Sequence, residues 1–404
     1  MSWMSRTTRA TIVVLMGCGA TGKSDDSAMR RDSAGIEIVE LRGDGWGNAP
    51  AIQLEPILTI GEVGRDDYEF GRIADAVMDG QRRILVLDPQ AQQLQVYDST
   101  GSFAVHVGGP GEGPGELSRW ITDVMTGPGD TIFIPDYAQA RINVYAPSGA
   151  YARTIPVPAR PSGQSWTLID GGFLYRGITI SRDAAGRFQT WDALLRFSEG
   201  AAALDTIMRF DYETTELGTR ENLRIPLLVN HPSWTRLTDG RIAWSALDRD
   251  RVLIHGSDGT LERMVAHPTW QRRPPSATDG EVMVSLLGQK LQLLGGDPAT
   301  AQSPNVIHPE LLPGITSVRA GLDGALWVQR MGPVPDIEPM SVNANEHSEG
   351  LGGSVWDAIA THGSYLGPVT VPPRFRITQI TDDAVVGVTR DELDVERVMV
   401  LRMR

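Results

Sequence analysis

Residues 73–101 read IADAVMDGQRRILVLDPQAQQLQVYDSTG, and residues 121–149, 48 positions further along, read ITDVMTGPGDTIFIPDYAQARINVYAPSG. Seven residues of the first stretch recur in the second: Ile73, Asp75, Ile84, Asp88, Val96, Tyr97 and Gly101 match Ile121, Asp123, Ile132, Asp136, Val144, Tyr145 and Gly149. A period of about 40 to 50 residues marks a unit that buries its apolar face only by stacking on copies of itself. Short apolar runs separated by Gly, Pro and Asp turns identify this unit as a β-propeller blade.

The rest of the chain continues the pattern as further blades. After the blades that start at Ile73 and Ile121, four more start near Trp166, Trp234, Ile315 and Arg376. The last has only three strand patterns, and Pro56 to Ile60 is predicted to supply its fourth strand, which closes the ring without a free edge. We therefore expect an all-β fold over residues 36–404, a six-bladed propeller of four-stranded antiparallel blades. A seventh blade would require Ile36 to Leu54 to contribute more strands.

Two insertions interrupt the repeats, at about residues 271–312 and 331–353. In the first, Thr278-x-x-Glu281 predicts a capping box that opens a helix, and Gly295-Gly296 predicts its end. The second is rich in Pro, Asn and Glu without periodicity, which is typical of functional lids or of disorder. Because the two insertions are close in sequence, we expect them to form a joint cover over one face of the ring.

The first residues predict export and lipidation. Arg6 and Arg9 precede an apolar run, Ala10 to Met16, that has the length of a signal-peptide core and is too short to span a bilayer. The following Leu15-Met16-Gly17-Cys18 resembles the lipobox of bacterial lipoproteins, in which the cysteine thiol is acylated after cleavage. We therefore predict a signal peptide over residues 1–17, a lipid-anchored tether over residues 18–35, and a location in the cell envelope, attached to a membrane of the periplasm or the outer membrane.

The same segment also matches a phosphate-binding pattern. Gly17 to Ser24 reads GCGATGKS, which fits G-x-x-x-x-G-K-[ST]. Such a loop needs a helix after it and a parallel sheet built from alternating strands and helices. Nothing downstream alternates in that way, so the lipoprotein interpretation is favoured.

Composition limits the classes of partner. The chain has 404 residues, of which 50 are acidic and 37 are Lys or Arg, for a net charge of −13. Such a surface is unsuited to nucleic acid or anionic lipid, so we expect neither nucleic-acid binding nor electrostatic membrane adsorption. Cys18 is the single cysteine, so the fold contains no internal disulfide.

One position at the mouth of each innermost strand is a candidate for ligand binding. Aligned in register, these positions are Arg72, Trp120, Trp166, Trp234, Gly314 and Arg376. Three tryptophans and two arginines around a channel would form a stacking and anion-binding ring for a sugar, a peptide or an aromatic acid. The alternative is that the tryptophans wedge between blades as core residues.

Asp75 and Asp123 occupy equivalent positions on innermost strands. Both would face the channel, where their oxygens are suitable ligands for Ca²⁺. The alternative is that each accepts backbone hydrogen bonds and fixes a turn, as we also expect for Asp88 and Asp136. The seven histidines show no zinc-ligand spacing, and no nucleophile elbow occurs.

Asp136-x-x-x-x-Arg141-Ile142-x-Val144-Tyr145 resembles the NHL repeat, and the Gly-Pro-Gly-Glu sequence at Gly113 to Glu116 is similar to one in bacterial lipoproteins described only as six-bladed β-propellers. That family has no agreed activity, so the resemblance implies a fold more than a function. The predicted function is a binding or scaffold module for an unidentified protein or small molecule, without a cofactor. The alternative is a Ca²⁺-dependent enzyme of the central channel, similar to gluconolactonase-type propellers or to propeller lyases.

Overall fold

The fold is described by a computed structural model. It covers residues 27–43, 45, 51–158, 165–182, 188–210, 224–228, 232–245, 250–321, 324–337 and 352–404. Cys18, the predicted signal peptide and most of the predicted tether lie outside these ranges. In the part of the chain so covered, no helix has the length and apolar character needed to cross a membrane.

Six antiparallel sheets, numbered here as blades 1 to 6, form the ring. From the innermost strand outward, blade 1 contains Asp75–Met78, Ile84–Asp88, Gln93–Tyr97 and Phe103–Gly108; blade 2 contains Met125–Thr126, Ile132–Asp136, Arg141–Tyr145 and Tyr151–Pro156; blade 3 contains Trp166–Ile169, Gly172–Arg182, Phe188–Ser198 and Asp205–Phe210. Blade 4 contains Trp234–Arg236, Ile242–Ser245, Arg251–His255 and Leu261–Ala266; blade 5 contains Ile315–Ala320, Leu326–Met331, Gly352–Ile359 and Tyr365–Thr370; blade 6 contains Phe375–Ile380, Ala384–Arg390, Glu396–Met403 and Leu54–Ile60. The predicted fold class is confirmed.

The core lies between the blades, and residues 84–87 of the second strand in blade 1 show why four consecutive positions are apolar. Ile84 and Val86 pack with side chains of blade 6, whereas Leu85 and Leu87 pack with side chains of blade 2. Successive side chains of a strand point to opposite faces, so a strand covered on both faces favours apolar residues at every position. Each blade therefore buries its apolar surface only against its two neighbours.

Blade 6 closes the ring by joining strands from the two ends of the sequence. Leu54–Ile60 pairs antiparallel with Glu396–Met403, and Ile60 lies opposite Val398. The predicted donor strand, Pro56 to Ile60, is thus confirmed and begins two residues earlier. Closure gives blade 6 its fourth strand and gives Glu396–Met403 a partner on its outer side.

The segment before the closing strand extends blade 4. Ile36–Leu41 pairs parallel with Leu261–Ala266, and Ala28–Ser33 pairs antiparallel outside it, so this sheet has six strands. Residues 28–33, which the sequence assigned to a tether, are therefore part of a sheet. Ile36–Leu41 therefore widens an existing blade, Leu54 belongs to the closing strand, and the described residues between them form no seventh blade.

The first insertion contains the helix α1, Ala277–Leu293, which is shifted slightly from its prediction. Its N-cap is Ser276, whose hydroxyl accepts from the backbone N–H of Asp279, and the Asp279 carboxylate accepts from the N–H of Ser276. The capping box predicted at Thr278 and Glu281 is therefore wrong by two residues, because Asp substitutes for Glu or Gln at the third helical position.

A small separate core, called the cap here, joins the two insertions. It contains Leu227, Leu228, Met283, Leu286, Leu287, Ala301, Leu312, Val334 and Ile337. Two short strands within it, Ile225–Pro226 and Val306–Ile307, pair parallel. The first insertion therefore packs on the first residues of the second one, while residues 338–351 of the second lie outside the described ranges.

Candidate functional site

The two faces of the ring differ in their exposed apolar side chains. We call the face on which each innermost strand begins the entry face; antiparallel order places the cap and the connections between blades on it. Among the described residues, the large apolar side chains with more than 60% exposure are Val63 (63%), Trp120 (68%), Leu293 (69%), Leu294 (64%) and Leu393 (85%). All five belong to connections on the entry face, so this face carries the most exposed of the large apolar side chains in the described ranges.

The structure separates the residues predicted to form a ring at the channel mouth. Trp120 is 68% exposed, whereas Trp166 and Trp234 are only 7% and 8% exposed and pack between blades. A β-carbon at Gly314 would lie 1.7 Å from the Trp270 carbonyl oxygen, so that position has no room for a side chain. The tryptophans thus divide between one exposed and two core residues.

The two predicted arginines take different positions. The Arg376 guanidinium donates from Nη2 to the Ile73 carbonyl at 2.9 Å and ties blade 6 to blade 1. Arg72 is exposed and lines a cleft between the same two blades, with no hydrogen bond or ion pair to another described residue. Arg72 is therefore accessible to a ligand, whereas one guanidinium nitrogen of Arg376 is occupied by a hydrogen bond within the fold.

Asp75 and Asp123 link neighbouring blades. The inner edges of the innermost strands have no strand partner, so their peptide N–H groups require other acceptors. Asp75 Oδ2 accepts from the Val124 N–H at 3.1 Å, and Asp123 Oδ1 accepts from the Trp166 N–H at 3.2 Å. These contacts agree with the alternative in which the repeated aspartates accept backbone hydrogen bonds.

The same is true of the second aspartate pair at the strand ends. Asp88 accepts from the N–H groups of Gly71, Gln90 and Ala91, and Asp136 accepts from Ser118. Each carboxylate thus fixes the turn that follows it and the connection that precedes its blade.

The channel concentrates charge around Asp75. Burial, and then repulsion from the Asp123 carboxylate, raise the pKa of Asp75 to about 7, against the opposing effects of the Val124 N–H and of Arg376 and Arg319. Carboxylates and guanidinium groups from four blades therefore act on one another across the channel. Within the described ranges, no group of three or more His, Cys, Asp or Glu side chains is placed to hold a metal ion, and Ca²⁺ binding by Asp75 and Asp123 remains a prediction.

A hydrogen-bonded group at blades 2 and 3 was not found from sequence. The Tyr137 hydroxyl oxygen accepts from Trp166 Nε1 and from Thr122 Oγ1, each at 3.1 Å. Burial, followed by the Asp123 carboxylate, raises the pKa of Tyr137 well above its ordinary value. Arg176 lies nearby and is 1% exposed. Tyr137 is therefore a neutral hydroxyl that holds Trp166 in the wall of the ring.

The second feature of the entry face is the cleft, called the seam cleft here, between the connection before blade 1 and the turn after Arg390. Its volume is about 560 Å³, within the range of small-molecule sites. It is lined by Glu62, Val63, Tyr68, Glu69, Phe70, Gly71, Arg72, Gln90, Arg390, Asp394, Val395 and Glu396. No sequence pattern predicts this cleft, because its two walls come from segments that lie far apart in the chain.

Comparisons with known proteins agree with the blade count. The DUF5128 family model, described as a 6-bladed beta-propeller, matches residues 63–188, the part that holds the two clearest repeats. The chain is a six-bladed β-propeller. No curated protein matches this propeller by sequence.

Solved structures with the same fold have diverse descriptions. A DUF4221 family member from Bacteroides vulgatus has a TM-score of 0.55 and 8% identity over 87% of this propeller and 98% of that chain. A protein named as a putative exported protein, from Bacteroides fragilis, has a TM-score of 0.48 and 12% identity, and the match covers 91% of this chain and 99% of that chain. Virginiamycin B lyase from Staphylococcus aureus has a TM-score of 0.44 and 9% identity, and the match covers 87% of this chain and 99% of that chain. At these identities the likeness is one of fold alone.

Proposed function

We propose that this propeller is an extracytoplasmic, lipid-anchored binding module whose ligand or protein partner docks on the entry face. The observation that carries the proposal is the location of all five strongly exposed apolar side chains on that face. Exposed apolar surface that is concentrated on one face of a domain favours a binding site on that face. The partly accessible channel mouth and the seam cleft add concave surface to the same face.

Chain geometry supports an anchor near this face. Ala28 lies opposite Leu41, and Glu40 lies opposite Ala266, the residue that enters a connection on the entry face. Ala28 follows Cys18 by ten positions, and ten extended residues span at most about 35 Å. An acylated Cys18 would therefore hold the entry-face end of blade 4 close to the membrane.

The anchor is tested by membrane fractionation of the wild type and of Cys18→Ser. We expect the wild type in the membrane fraction and the variant in the soluble extracytoplasmic fraction. A wild type that is soluble in the cytosol would contradict the anchor without bearing on the binding face.

The binding face is tested by photo-crosslinking in cells. A photoreactive amino acid at Trp120 on the entry face is compared with one at Ser99, an exposed turn residue on the opposite face. We expect cross-linked species of defined mass from position 120 and none from position 99. Equal cross-linking from the two faces would contradict the proposal.

A further inference from the structure

We propose that the seam cleft binds a small molecule with an apolar body and a free carboxylate, which Arg72 holds. This assignment rests on the proposed binding role of the entry face and adds a ligand class to it. The site is distinct from the channel mouth, where the sequence placed Arg72 together with the tryptophans.

The apolar wall of the cleft is held rigid by the core beneath it. Phe70 and Tyr68 pack on Tyr97 with ring centroids 6.3 Å and 5.4 Å apart, and the Tyr68 hydroxyl accepts from the Phe103 N–H. Val63, on the rim, is 63% exposed. A preformed apolar wall loses little conformational entropy on binding, so it favours an apolar body.

Among the charged side chains that line the cleft, one cationic group has no partner in the described part of the protein. The carboxylates are satisfied within the protein: Glu62 pairs with Arg65 at 3.2 Å, Glu69 accepts from the Gly64 N–H at 2.9 Å, Asp394 pairs with Arg374, and Glu396 pairs with Arg390 at 2.6 Å. Arg72 alone among the charged residues lining the cleft has no partner within the described part of the chain. A guanidinium fork matches a carboxylate through two parallel hydrogen bonds, so the ligand class follows from Arg72.

The cleft also lies where blade 6, which closes the ring, meets blade 1. Glu396 accepts from the Ile73 N–H at 2.5 Å, which connects the last strand in sequence to the first innermost strand. A ligand held between Arg72 and the turn at residues 391–395 would contact both ends of the chain.

The test measures dissociation constants by calorimetry for three probes that differ only at the head group: 4-phenylbutyrate, 4-phenylbutylamine and 4-phenylbutanol. The protein is the full-length chain carrying Cys18→Ser. We expect the carboxylate to bind at least about tenfold more tightly than the amine and the alcohol, the usual scale for a hydrogen bond to a charged group. Arg72→Gln should lose that tenfold preference, and it should fold normally because the exposed Arg72 side chain makes no hydrogen bond or ion pair with another described residue.

The matched control is Arg119→Gln, which removes an exposed arginine from the equivalent connection of blade 2, outside the cleft. It should bind the carboxylate as the wild type does, and so should Trp120→Ala at the channel mouth. Equal binding of the three probes, no binding of any probe, or an unchanged preference in Arg72→Gln would overturn the assignment. Loss of binding in Trp120→Ala as well would also overturn it, by moving the site to the channel mouth, while the entry face would retain its binding role.

Discussion

Replacing Asp75 with asparagine is expected to stabilise the protein at pH 8. The pKa of Asp75 is raised to about 7, mainly by burial and then by the Asp123 carboxylate, whereas an aspartate in an unfolded chain has its ordinary pKa of 3.8. Between these values the folded protein keeps a proton that the unfolded chain has lost. The stability contribution is therefore full below about pH 4, falls as the pH rises, and is lost above about pH 7.

The size of this stability change follows from the difference between the folded and unfolded pKa values of Asp75. About three pKa units at 1.36 kcal/mol each give an upper limit of about 4 kcal/mol lost between pH 4 and pH 8. Partial access of solvent through the channel and the opposing charges of Arg319 and Arg376 reduce this figure, so about 1 to 4 kcal/mol is expected. Asparagine keeps an oxygen that accepts from the Val124 N–H, so the variant loses the charge without losing the link between blades.

The assay is urea unfolding of the wild type and Asp75→Asn at pH 5 and pH 8, followed by tryptophan fluorescence. The stability difference between the two pH values should shrink in the variant. Asp98→Asn serves as control, because hydrogen bonds from Thr100 and Ser102 lower the pKa of that exposed carboxyl, so it is ionised at both pH values and its replacement should leave the difference between pH 5 and pH 8 unchanged. Parallel pH profiles for the wild type and Asp75→Asn, or a variant less stable at pH 8, would refute the reasoning.

Three further outcomes are expected. Asp357→Ala should cost about 3 to 5 kcal/mol in urea unfolding, since it leaves Arg330 without the buried carboxylate that it contacts at 2.6 and 2.8 Å; a cost below 1 kcal/mol would contradict this. Ser276→Ala should speed amide exchange in the first turn of α1 by roughly fivefold, as expected for loss of an N-cap worth about 1 kcal/mol, and unchanged exchange would count against the assigned cap. If Asp75 and Asp123 bind Ca²⁺, millimolar Ca²⁺ should raise the Tm of the wild type and not that of the double asparagine variant; an equal response would remove the calcium prediction.

The repeat made the fold predictable. Strands covered on both faces read as continuous apolar runs, and the 48-residue offset aligned the turns as well as the strands. The closing strand Leu54–Ile60 was predictable because blade 6 lacked one strand pattern. The widening of blade 4 by Ile36–Leu41 was not, since parallel pairing of distant segments leaves no local signal.

The site was less predictable for a physical reason. Trp120 and Trp166 occupy equivalent positions, yet one is 68% exposed and the other 7%, because only Trp166 has Tyr175 to stack on and Tyr137 to bond. Whether an aromatic residue is core or surface depends on the neighbouring blade, which the repeat does not specify. Arg72 was predicted at the channel mouth with the tryptophans, whereas it lines a cleft whose other wall comes from Arg390 and residues 394–396, far away in the sequence.

The pairing that closes blade 6 also sets the order of events during synthesis. Leu54–Ile60 leaves the ribosome long before its partner Glu396–Met403 is synthesised. The early strand therefore keeps an unsatisfied edge until residues 396–403 have been made, and it gains its partner only through a contact of very large sequence separation. The ring cannot close before residues 396–403 have left the ribosome, and until then its unpaired strands are exposed to chaperones and to aggregation.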